Sequence, residues 1–98
     1  WALAHTESPD LDRALRVIDS VIRRWPDTPQ YRDTRGQILV KLGRWEQALD
    51  DLERALPAMA DNVQIHEALA EIHKELGNES MSAKHAAIAK HLAEKDLK

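Results

Sequence analysis

Cysteine is absent from this 98-residue chain, which excludes disulfides and thiolate metal sites and leaves the redox compartment open. No apolar run approaches membrane-spanning length, and no charged start leads into a signal-like hydrophobic segment, so a membrane is not an expected partner. An excess of positive charge is lacking as well. The chain sets 14 Lys and Arg against 17 Asp and Glu, and a net charge of -3 supplies no general field to hold a phosphate backbone. Nucleic acid is therefore not expected as a ligand. Glycine is scarce, with three residues and no cluster that would cradle a phosphate. A soluble protein is expected, suited to a bacterial cytoplasm or periplasm alike if the chain is bacterial. The chain begins at Trp1 without a methionine, which points to a segment of a longer protein.

What is present suits one folded domain: 43% hydrophobic and 32% charged residues are ordinary for a soluble globular chain. The stretch LGRWEQALDDLERAL, residues 42–56, places Trp45, Ala48, Leu49, Leu52, Ala55 and Leu56 on one helical stripe and leaves the other face to charged and amide side chains. The same stripe occurs earlier as Leu11, Ala14, Leu15, Ile18, Val21 and Ile22, each pair separated by 34 residues (45 minus 11, for example). That offset also carries Leu42-Gly43 to Leu76-Gly77, and Gln30, Asp33 and Gln37 to Gln64, Glu67 and Glu71. Two helices fit each period.

Local signals divide the period. Ser8 and Asp10 around Pro9, and Thr28 before Pro29, read as side-chain caps beside a proline that suits a first helical turn. Asp61 and Gln64 have the spacing of a capping box. Gly43 and Gly77 read as left-handed terminators, and Pro26 stops the helix before it. The expected helices run over about 1–6, 10–24, 29–42, 45–57, 62–76 and 79–95.

A period of 34 built from helix pairs resembles the tetratricopeptide repeat. In the middle repeat Gly36 and Ala48 match the family's small residues, while Leu39 and Leu52 stand for its Tyr and Phe. The first repeat has Ala14, Ile18 and Pro26 in second-helix places, with Trp1, Ala2 and His5 on a shortened first helix. The third has Leu69, Ala70 and His73, then Ser82 and Ala86. Arg32 and Arg35 depart from the pattern, in places that the family gives to Trp and Leu. The resemblance implies an all-α fold, a right-handed superhelical stack of antiparallel helix pairs in a single domain over 1–98. Residues 1–28 would form a truncated first repeat, 29–62 the second and 63–98 the third, terminal one.

Stacking supplies the core of such an array, because one hairpin cannot bury both of its apolar edges. Small residues at Gly36, Ala70, Ala48 and Ala14 are expected where paired helices approach closely. Trp45 and Leu56 become Glu79 and Lys90 one period later, the polarity of a closing repeat, so the natural end of the array is expected near Lys98. At the other end Trp1, Val17 and Val21 lack a partner. An upstream helix or another copy of the chain is expected there, giving a homo-oligomer through the N-terminal end as an alternative role.

By resemblance, the first helix of each pair lines a concave binding surface. At 100° per residue, the faces opposite the apolar stripes carry Gln30, Asp33, Gln37 and Lys41 on one such helix and Gln64, Glu67, Glu71, Lys74 and Glu75 on the next. These nine form a polar, mildly acidic groove suited to a protein or peptide with amide and basic groups; solvated faces of amphipathic helices are the competing explanation. Some family members clamp acidic carboxyl-terminal chaperone tails with cationic residues here. The corresponding Thr34, Gln64 and Ala68 carry no positive charge, which argues against that role.

The remaining polar residues suggest structure rather than chemistry. HEALAEIH at 66–73 separates His66 and His73 by two helical turns, roughly 10 Å, too far for one zinc with bonds near ~2 Å. Packing is the better reading for both, and a surface position for His85 and His91. Arg32 and Arg35 are expected to lay their stems over the core and pair with Asp33, Asp50, Asp51 or Asp61, with anion binding as the alternative. Trp45 belongs to the packing stripe, and Trp25 shields a turn. Asn78-Glu79-Ser80 is a formal glycosylation acceptor with no secretory signal to support it. With no phosphate loop, feasible metal cluster or nucleophile beside a base, no enzyme, cofactor or metal is expected.

Overall fold

The computed structural model describes residues 9–96, in which five α-helices follow one another: α1 Pro9–Arg24, α2 Pro29–Lys41, α3 Trp45–Ala55, α4 Val63–Glu75 and α5 Glu79–Asp96. A short 3-10 turn, Leu56–Ala58, continues α3. The helix expected at 1–6, with Trp1 and the Ser8 cap, lies outside the described residues. Each helix packs on the next, and α2 also touches α4. The result is a solenoid of antiparallel helix pairs.

The stripe of α3 is the reason the stack holds. Ala48, Leu52 and Ala55 are completely buried, and they join Leu39 of α2 with Ile65, Ala68, Leu69 and Ile72 of α4 in one core. Trp45, Leu49 and Leu56 pack around its edge. One helix thus covers a neighbour on each side, as the sequence period requires. Gly36 allows the closest approach: a Cβ built there would lie 2.6 Å from two carbons of Leu52. Any larger residue would push α2 and α3 apart.

Two of the terminators act as expected. Gly43 (φ +73) and Gly77 (φ +85) take left-handed conformations, and the following amides close back on the helix, Arg44 N–H to the Leu39 carbonyl at 2.9 Å and Asn78 N–H to that of His73 at 2.7 Å. The caps differ from expectation. Thr28 is the N-cap of α2, but its side chain makes no capping bond. Pro29 has no N–H to offer, and the Tyr31 N–H bonds to the Thr28 backbone carbonyl at 3.1 Å instead. For α4 the cap is Asn62 rather than Asp61, with Asn62 Oδ1 accepting from Ile65 N–H at 2.9 Å. Extended backbone at Asn62 aims its amide oxygen at the third helical N–H.

Candidate functional site

Because α2 and α4 lie side by side, the polar faces of the two helices meet. Gln37 joins them: its amide donates to Asp33 Oδ1 at 3.2 Å on α2 and reaches the Gln64 carbonyl at 3.4 Å on α4. Beside it opens a cleft of about 680 Å³ lined by Gln37, Val40, Lys41, Leu42, Gly43, Trp45 and Glu71. Five of the nine expected groove residues are therefore brought together, Gln37, Lys41 and Glu71 in the cleft and Asp33 and Gln64 through Gln37. Gln30, Glu67, Lys74 and Glu75 stand exposed on the same two helices. The nine residues hold four carboxylates and two lysines.

Sequence reasoning missed the apolar floor of this cleft. Val40 and Leu42 line it, as does Trp45, which packs on the core with one part and borders the cleft with another. A signal existed: Ile38, Leu39 and Val40 are consecutive, and three residues in a row sweep about 200° of helix surface, wider than one core-facing stripe. At least one had to point elsewhere.

A second cleft, of about 440 Å³ and bordered by α1, α2 and α3, is dominated by charge. Its centre is Asp51, 2% exposed. Arg35 donates to it twice, Nε to Oδ2 at 2.7 Å and Nη2 to Oδ1 at 2.9 Å, and Arg32 Nη1 donates to Oδ1 at 3.2 Å. Arg35 Nη1 also reaches Asp19 Oδ1 on α1 at 3.0 Å. Of the four acids expected as partners only Asp51 serves. Asp33 accepts from Gln37 and Asp50 pairs with Arg54, while Asp19 was not foreseen. The hydrogen bonds that Arg35 donates to Asp51 outweigh the lowering effect of burial and raise the pKa of Arg35 above its already high ordinary value. Both guanidiniums are committed to these acids, which argues against the anion-binding alternative.

The histidines are the largest departure. His66 and His73 are buried as expected, and His91 is exposed. His85 is also buried, at 7% exposure, because α5 turns it inward between the two histidines of α4. The rings of His66 and His85 lie 5.2 Å apart, and those of His73 and His85 5.8 Å apart and nearly parallel. Burial, then the neighbouring His66, His73 and Lys84, push the pKa of His85 down. Among the described residues no group of three or more potential ligands is arranged to hold a metal ion, and no helix is long and apolar enough to cross a membrane.

At the amino-terminal side, Val17 is 59% exposed and Val21 half-buried on α1. Trp25 stays half exposed, leaning on Tyr31 across the Pro26 turn. The places of the chaperone-tail clamp hold no cation: Thr34 turns its hydroxyl back to the Gln30 carbonyl at 3.0 Å, and Ala68 is buried.

The family model for the tetratricopeptide repeat matches residues 2–74. Among solved structures, MamA of AMB-1 is similar at a TM-score of 0.78 and 26% identity, over 88% of this chain and 47% of that one. MamA of MSR-1 gives a TM-score of 0.76 and 25% identity, over 89% and 50%. The chain spans about half the length of these MamA chains. No curated protein matches it.

Proposed function

Because the chain belongs to the tetratricopeptide repeat family, we propose that it is a non-enzymatic protein-binding module whose α2/α4 surface receives a peptide or partner protein. The observation that carries this reading is the cleft of Gln37, Val40, Lys41, Leu42, Trp45 and Glu71. Its lining combines apolar Val40, Leu42 and Trp45 with the Gln37 amide that bridges two helices, the Lys41 ammonium and the Glu71 carboxylate. A bulky apolar side chain next to a lysine or arginine fits this chemistry, with Glu67 and Glu71 extending the acidic wall along α4. In this reading the chain is one domain, with repeats divided at 1–28, 29–62 and 63–98.

Fluorescence anisotropy with labelled peptides tests it. Peptides that place Lys or Arg beside Leu or Trp bind more tightly than the same peptides with Glu in place of the base. Glu67→Lys with Glu71→Lys weakens the basic peptides by about fivefold, the scale of rim charges worth about 1 kcal/mol together, with unchanged sedimentation. Equal binding of acidic and basic peptides, or affinity untouched by the double reversal, would sink the reading.

One observation favours a second role, bracing or self-association through α1. Val17 is a large aliphatic residue left open to solvent on a helix that packs chiefly on α2 among the described residues. Under this alternative Trp1, Val17 and Val21 form the contact. Sedimentation of wild type and Val17→Lys decides it: a strict monomer in both removes this role and leaves the groove reading intact.

A further inference from the structure

The distance between partners exposes a register. Arg32 and Asp51 stand 19 residues apart, as do His66 and His85, and each histidine lies one period of 34 beyond its counterpart (66 minus 32, and 85 minus 51). The third repeat therefore sets two imidazoles, Nδ1 to Nδ1 at 3.0 Å, where the second sets a guanidinium on a carboxylate at 3.2 Å. The surrounding hydrogen bonds define the protons. His66 Nε2–H donates to the Ala60 carbonyl at 2.8 Å, which leaves His66 Nδ1 as acceptor and puts the proton of His85 on Nδ1. The Asn78 amide lies 3.4 Å from His73 Nδ1, so His73 carries its proton on Nε2, a buried atom with no hydrogen-bond partner.

This arrangement disfavours a charge on His85. A proton added to His85 creates a cation packed between two more imidazoles, in a site removed from water. Among the described residues no acid forms an ion pair with the three rings. On α4 Glu67, Glu71 and Glu75 occupy exposed positions, as Lys74 does. On α5 Glu79, Lys90 and His91 are exposed, and Lys84 adds repulsion. Asp51 of α3 is held by Arg32 and Arg35. Beyond the rings, α5 packs along α4, with the Ser82 hydroxyl on the Ala70 carbonyl at 2.8 Å and Ala89 buried.

We propose that His85, packed between His66 and His73, forms a proton-operated catch, closed when it is neutral, whose protonation releases α5 from α4 while the α2/α3 hairpin stays folded. The sign follows from the downward shift of His85. Folded His85 resists a proton that the released residue accepts near its ordinary value of 6.5. Opening thus takes up a proton: the catch is fully stable above that value and weakens as pH falls below it toward the depressed folded pKa. The opening constant rises about tenfold per pH unit in that window, as long as closed His85 stays neutral. Because α4 carries five of the nine groove residues, acid would also loosen the groove; that consequence alone rests on the binding role proposed above.

Hydrogen exchange followed by mass spectrometry on the whole chain, without any peptide, tests the catch between about pH 7.5 and about pH 5.5. After correction for chemical exchange, α5 amides open about tenfold more often at the lower pH, and buried amides of α2 and α3 change by less than about twofold. Installing the second repeat's pair, His66→Arg with His85→Asp, abolishes the difference. Where that variant does not fold, His85→Gln keeps a donor for His66 and removes the titration, and it too is insensitive to pH. Wild-type α5 equally protected at both pH values overturns the proposal, as does a His85→Gln chain that retains the full acid response. Peptide affinity is measured separately, so failure of the groove and failure of the catch are distinguishable.

Discussion

The two hairpins α2/α3 and α4/α5 are built on one period, yet they are sealed by different means. In the first, Asp51 is gripped by Arg32 and Arg35, and Arg35 extends to Asp19 so that one side chain ties three helices together. In the second, the same register holds two histidines, and Arg35 itself is replaced by the fully buried Leu69 (69 minus 35 is 34). The hydrophobic layer differs in parallel. Leu52 of α3 is completely buried between α2 and α4, whereas its counterpart one period on, Ala86 of α5, is exposed. A helix with neighbours on both sides uses a broad stripe and a fixed ion pair. A helix that packs chiefly on one neighbour needs only a narrow seam, and its polar pair is free to be titratable.

Leu52→Ala strikes that difference hardest. It empties a fully buried site lined by rigid helices and should cost about 3 to 4 kcal/mol, whereas the equivalent Ala86→Leu, made on an exposed face, should stay within about 0.5 kcal/mol. Urea denaturation with an unchanged slope measures both. Comparable losses would mean that α3 and α5 are equally enclosed, contrary to their burial. Next in size is Arg35→Leu, which imports the third repeat's residue into the second. Asp51 keeps Arg32 but loses two short charge-assisted bonds while buried, a loss of about 2 kcal/mol. A change below about 0.5 kcal/mol would show that Arg32 alone satisfies the carboxylate.

How much of this was readable beforehand depended on whether the information lay along one helix or between two. The stripe of α3, the terminators Gly43 and Gly77 and the close approach at Gly36 are consequences of spacing within the chain, and all were legible. Asp19 as a partner of Arg35 was not, because α1 meets α2 at a rotation that no single helix's periodicity specifies. His85 was misplaced on the surface for a related reason: judged by its spacing from His91 it had no stripe to join. Carrying Asp51 forward by 34 residues would have put it inside, opposite His66. The groove was partly legible. Its polar wall followed from the faces opposite the stripes, but the floor of Val40, Leu42 and Trp45 depends on where α3 enters beneath α2.

The smallest contrast separates the two helices that lead the hairpins. Both begin on a residue suited to capping, but the structure lets only one of them cap. Asn62 bonds the Ile65 N–H at 2.9 Å through its side chain, so Asn62→Ala leaves that donor without its side-chain acceptor and should cost about 1 kcal/mol. Thr28 precedes a proline, and its backbone carbonyl already takes the Tyr31 N–H. Thr28→Ala should therefore change stability by no more than about 0.3 kcal/mol, despite removing a residue type that favours helix starts. Thermal unfolding of the two variants at one pH above 7, where the histidine catch is closed, isolates the caps from titration. Equal losses would mean that the Thr28 hydroxyl captures an α2 amide in solution, and that Pro29 does not set the entry of that helix.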